Sequence, residues 1–188
     1  LDPLTHPGTQ SAGTATLPDQ IVGLIITVLR NDRGVHAETA IAAAAVITGE
    51  QALRAAGHDL STFEPGSVIM SDKVNELLFE GDGQMTISDF FFNALFSQGI
   101  DVGKNSWPEQ IPDEHQLMMD PLQVAARLRP DLAAVFESAG TAPIERAYAC
   151  AQATAQLVAQ TRRVLDPNIG KALALEAMLR GAKTAPVS

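Results

Sequence analysis

The stretch TLPDQIVGLIITVLR (Thr16–Arg30) sets the fold class. Thr16-x-x-Asp19 resembles a capping box with Asp in place of the usual Glu or Gln, and Pro18 sits in the first turn, where a missing N–H costs little. Behind this start, Ile21, Val22, Leu24, Ile25, Ile26, Val28 and Leu29 cover almost the whole circumference of a helix. A helix that is apolar all round is buried, so this one is expected at the centre of the protein.

The same grammar of cap, stripe and glycine stop continues outward. Val35 to Ala56 is rich in alanine (Ala37, Ala40, Ala42–Ala45), carries Ile41 and Ile47, and stops at Gly57. Gly49 lies inside it, but one glycine costs a helix only about 1 kcal/mol, so the helix is expected to be continuous. Further helices are predicted over Pro65–Glu80, from Thr86 to Gly99, and from Asp120-Pro121 through Pro130 to Gly140. Thr141 is expected to cap the next helix, and Asp166-Pro167 starts the last, which ends near Gly181. No β-branched alternating run survives as a strand. The prediction is an all-α, bundle-like single domain of about seven to eight helices over residues 16–183, with a flexible arm at 1–15 and a flexible tail at 184–188. The rhythm breaks only at residues 101–119, a long loop for a compact helical domain, and such loops are usually functional or disordered.

Composition narrows the classes of function. Of 188 residues, 46% are hydrophobic and 19% charged, as in ordinary globular proteins. The net charge of −9 disfavours nucleic acid as a partner, since phosphate neutralisation needs clustered Lys and Arg. Twelve acids against Lys73 and Lys104 lie between Asp59 and Asp120, which reads as a solvated acidic face. The longest strongly apolar run, Ile21–Leu29, is far short of a membrane span. With Cys150 as its single cysteine the chain cannot form an internal disulfide, which fits a reducing, cytoplasmic setting.

The chemistry-bearing residues fall short of known signatures. Glu80-Gly81-Asp82-Gly83-Gln84 starts like a calcium loop, but Met85 and Phe91 occupy the positions that need Gly and a bidentate carboxylate. The four histidines (His6, His36, His58, His115) match no zinc or di-iron spacing. In His36-Ala37-Glu38 the two side chains would lie about 200° apart on a regular helix and could not share a ligand. No cofactor and no metal is therefore expected. Cys150, among alanines inside a helix, reads as a small buried residue. Asp113, Glu114, His115 and Asp120 form the only dense acid–His group.

Phe90-Phe91-Phe92, with Leu95 and Phe96, covers more of its helix than one core stripe needs. A pocket or partner surface is one use for that excess. The candidate ligand- or partner-facing set is Phe90, Phe92, Phe96, Trp107, Asp113, Glu114 and His115, with the 101–119 loop folding over the Phe helix and Trp107 anchoring it. The leading functional expectation is a non-catalytic interaction protein, self-associating as a homodimer through its alanine faces and its surplus of phenylalanine. The alternative is a small-molecule-binding protein, or an enzyme, with an apolar pocket between the Phe90–Phe96 helix and the loop.

Overall fold

The computed structural model describes residues 15–103 and 111–188. It is 67% helical, with seven helices and no strand among the described residues, packed as an all-α bundle. The helices are α1 (Leu17–Leu29), α2 (Ala37–Ala55), α3 (Asp72–Asn75, continued by a π-helical turn over Glu76–Glu80), α4 (Ile87–Ser97), α5 (Pro121–Ala139), α6 (Pro143–Thr161) and α7 (Pro167–Ala182). None is long and apolar enough to cross a membrane.

The helix starts follow their caps. The Thr16 hydroxyl accepts from Asp19 N–H while the Asp19 carboxylate accepts from Thr16 N–H, and Thr86 and Asp89 repeat the arrangement. Asp120 and Asp166 cap α5 and α7 ahead of Pro121 and Pro167. Gly99, at φ 76°, ends α4, and Ile100 N–H returns to the Leu95 carbonyl as a Schellman motif requires. Helix α5 continues through Pro130. Helix α6 starts one residue later than expected: Ala142 is its N-cap residue, and its N–H donates to the Glu145 carboxylate at 2.7 Å.

The central helix is α2, not α1. Every residue from Thr39 to Leu53 is buried, Glu50 and Gln51 included. Helix α1 leaves Leu24 and Ile26 half-buried and Val28 37% exposed. The reason is size: side chains at a helix contact set the interaxial distance, and only a helix of small residues can be enclosed on every side. Helices α7 and α6 make its largest interfaces, with α5 and α1 completing the ring. The alanine faces expected to join two copies, Ala40–Ala45 and Ala147–Ala155, are spent in this core: Ala40–Ala45, Ala147, Ala151 and Ala155 are each at most 1% exposed.

Where α2 crosses α7 the backbones nearly touch. A Cβ on Gly49 would collide with the Met178 carbonyl oxygen, and one on Gly181 with the Val46 carbonyl oxygen. Gly49 therefore accounts for the crossing, and its helix-propensity cost is offset by packing that no other residue permits.

The third predicted helix is shorter than its sequence stripe. After a turn at Gly66, residues 67–69 run extended against the C-terminal segment: Gly66 and Ile69 N–H donate to the Ala185 and Lys183 carbonyls, and Ala185 N–H donates to the Ser67 carbonyl. Helix α3 thus begins only after Ser71, whose hydroxyl caps Val74 and sits 2.8 Å from His58 Nε2. The same pairing holds residues 184–187, expected as a loose tail. Ala185 is buried, and the Val187 carbonyl accepts from Arg129 Nη1 at 2.8 Å.

Candidate functional site

Helix α2 begins at a residue whose backbone is not helical. His36 is the N-cap residue (φ −74°, ψ 116°), and its Nδ1 accepts from Thr39 N–H. The angular rule for a regular helix does not hold across such a cap. His36 Nε2 and Glu38 Oε2 lie 3.3 Å apart, so the two side chains that helical spacing keeps apart do meet.

Glu38 also reaches across to residues 111–120, a strap lying over α2 and α7. Its Oε1 is 3.0 Å from Nδ1 of His115, which sits at the end of a single 3₁₀ turn (Asp113–His115). Three residues on, Met118 N–H donates to the Thr39 hydroxyl at 3.1 Å, while that hydroxyl lies 2.9 Å from His36 Nδ1. The strap ends at Asp120, whose carboxylate caps α5 with one oxygen and meets Arg180 Nη2 at 3.1 Å with the other. The first turn of α2 thus holds the strap at His115 and Met118, and the last turn of α7 holds it at Asp120.

Burial pushes the Glu38 carboxyl up, but the hydrogen bond from His115, its own backbone N–H and the charges of His36 and His115 outweigh it. The group sits below its ordinary value of 4.5. A carboxyl depressed in the folded state adds stability that is present above its unfolded value and is lost as pH falls through the folded one. The stability gap between the native protein and Glu38→Gln is therefore expected to be full at pH 6 and to close as pH falls below 4.5. Urea denaturation at each pH measures it.

Under the strap lies a cleft of about 370 Å³. Its floor is Ala42 of α2 with Leu173, Glu176, Ala177 and Arg180, which share one face of α7 at helical spacing. Its wall is the strap, through Ile111, Asp113, His115 and Leu117. Glu38 does not line the cleft; it meets Nδ1 of His115 from the first turn of α2.

The structure divides the residues singled out from the sequence. Asp113 and His115 share the cleft, while Glu114 is exposed and does not line it. Phe92 and Phe96 line a smaller groove of about 160 Å³ with Ile100, Asp101, Val102 and Gly103. The two spaces have no lining residue in common. Phe90 turns to α6, its ring centroid 5.0 Å from that of Tyr148, whose hydroxyl donates to the Met85 carbonyl. Trp107 lies outside the described residues. Cys150 is fully buried, and burial together with the Glu50 charge pushes its thiol well above the ordinary range, so it does not serve as a nucleophile.

Sequence reasoning misses Glu38 and Thr39 because their partners His115 and Met118 lie 77 and 79 residues away, and His36 because its backbone is that of a cap and not of a regular helix. Among the described residues, no group of three His, Cys, Asp or Glu side chains is arranged to hold a metal ion. The chain matches no known protein family, and no curated protein or solved structure is found to be similar to it.

Proposed function

We propose that the protein is a small-molecule-binding module whose site is the cleft between α2, α7 and the 111–120 strap. One observation carries this reading: a cleft floored by one face of α7, which carries both apolar and charged side chains, is overhung by an imidazole that Glu38 holds from outside the cleft. Concave sites with a few positioned polar groups are how proteins hold small ligands, and about 370 Å³ falls at the small end of the range for such sites. Self-association, the leading expectation from the sequence, loses one of its two motives, since the alanine faces lie in the core; of the phenylalanine surplus, Phe96 stays 69% exposed.

A fragment screen by backbone amide NMR tests the proposal. Binders are expected to shift Ala42, Leu117 and Ala177 together, and Ala177→Leu, which fills the floor, is expected to weaken them at least about tenfold. Binders that map elsewhere, or that ignore Ala177→Leu in a folded variant, would overturn it.

A further inference from the structure

We infer that residues 68–70 form a docking edge for an extended, basic segment of another protein, which adds alongside the pairing of residues 67–69 with residues 183–185. The edge shares no residue with the cleft, so this inference and the small-molecule reading stand or fall separately.

The backbone carries the argument. Ala185 N–H donates to the Ser67 carbonyl and Ile69 N–H to the Lys183 carbonyl, both at 2.8 Å, which sets Val68 opposite Thr184 in antiparallel pairing. In such a pair the residue between the two bonded ones turns its own N–H and C=O to the other side. The chain is still extended at Ser71 (φ −152°, ψ 117°), so Met70 offers its backbone on the same side as Val68. Neither the N–H nor the C=O of Val68 or Met70 is hydrogen-bonded to another described residue. An edge with unused donors and acceptors is a template for an added strand.

The side chains define what that strand carries. Exposure alternates as it does along a strand: Val68 73%, Ile69 2% and Met70 77%. Val68 and Met70 stand on one face, and neither packs against the core. A segment with apolar residues at alternate positions covers both.

Charge decides between another protein and a second copy. Glu64 and Asp72, both exposed, bracket the edge, and neither has an ion-pair partner among the described residues. Lys73 is taken by Glu76 at 3.6 Å, and Lys183 stands opposite Ile69 on the strand at the other side of the pairing. Two copies paired about Ile69 would set Asp72 of each opposite Gly66 of the other, two residues from its Glu64. Two carboxylates from each chain, each chain of net charge −9, would then crowd one short ladder. A basic segment meets the same carboxylates favourably.

The probe is an acetylated and amidated peptide, Lys-Lys-Val-Thr-Val-Thr-Val-Lys-Lys, set against a second peptide with glutamate at every lysine. Each is titrated into the full chain at pH 7.5 and low salt and followed by amide NMR. The lysine peptide is expected to shift residues 67–71, to slow exchange of the Val68 and Met70 amides, and to bind about tenfold tighter than the glutamate peptide. Val68→Pro removes an N–H that the fold does not use, a change that edge positions tolerate. It is expected to weaken the lysine peptide about tenfold while the Ile69 and Ala185 amides keep their protection. Met70→Lys leaves the backbone intact and is expected to weaken it about fivefold, which decides the matter if Val68→Pro disturbs the pairing. Equal binding of the two peptides would overturn the basic class of partner. No shift at residues 67–71 with either peptide, or unchanged binding to Met70→Lys, would overturn the edge itself. A dimer in sedimentation, with concentration-dependent shifts confined to residues 67–71, would make a second copy the occupant and overturn the inference as well.

Discussion

Gly181→Ala is expected to destabilise the protein by about 3 kcal/mol, although alanine is the better helix former. The added methyl has nowhere to go: its position overlaps the Val46 carbonyl oxygen and presses on the Val46 Cα, both backbone atoms of a helix buried on every side. Relief requires α2 and α7 to move apart, which loosens the contacts of Met178 and Ala182 along the same crossing. Gly49→Ala meets the same obstacle from the other helix, through the Met178 carbonyl and the Ala182 nitrogen. Once one substitution has separated the helices, the second adds less, so the double variant is expected to lose less than the sum. Gly23→Ala supplies the control. It lies in α1 with open space around its Cβ position, and the same change there should stabilise by about 0.5–1 kcal/mol. Urea denaturation of the four variants measures all of this. Equal effects at Gly23 and Gly181 would show that the close crossing does not exist.

The second large effect is expected at Arg129. Its Nη2 meets Glu50 Oε1 at 3.0 Å, and the Glu50 side chain is only 4% exposed. Replacing Arg129 with Met leaves a carboxylate buried without its counter-ion, a change that typically costs about 3–5 kcal/mol. It also removes the donor to the Val187 carbonyl, so the amides of residues 183–187 are expected to exchange faster than in the native protein. Adding Glu50→Gln to Arg129→Met removes the stranded charge and should recover most of the loss. If the double variant is no more stable than Arg129→Met alone, the cost lies in lost packing of the arginine stem and not in the buried charge.

Local chemistry was readable from the chain wherever one residue decides the outcome. Thr16 with Asp19, Thr86 with Asp89, and the Asp-Pro pairs at 120 and 166 each mark a helix start, because a cap is satisfied within three residues. Position within the bundle was not readable in that way. Apolar density pointed to α1 as the central helix, but enclosure is decided by side-chain size, and the alanines of α2 win. Residues 65–71 fall within the predicted third helix yet turn at Gly66 and then run extended, because the backbone of residues 183–185 offers them partners that no local pattern announces. The cleft was half visible. Asp113 and His115 stood out as a dense polar pair, but the glutamate that orients His115 comes from a helix 77 residues earlier, and the α7 floor shows only ordinary residues.

The enclosure of α2 by late helices also sets an order of events during synthesis. Its largest partners are α6 and α7, which begin at Pro143 and Pro167, while α2 itself ends at Ala55. At a translation rate of roughly 5–20 residues per second, the ribosome needs on the order of 6–20 s after completing α2 before the partner that locks onto Gly49 exists. During that interval the alanine and isoleucine surface of α2 has only α1, and later α5 and α6, to shelter it. The nascent chain is therefore most exposed to aggregation, and most in need of chaperone cover, while its future core is already made and its closing helix is not.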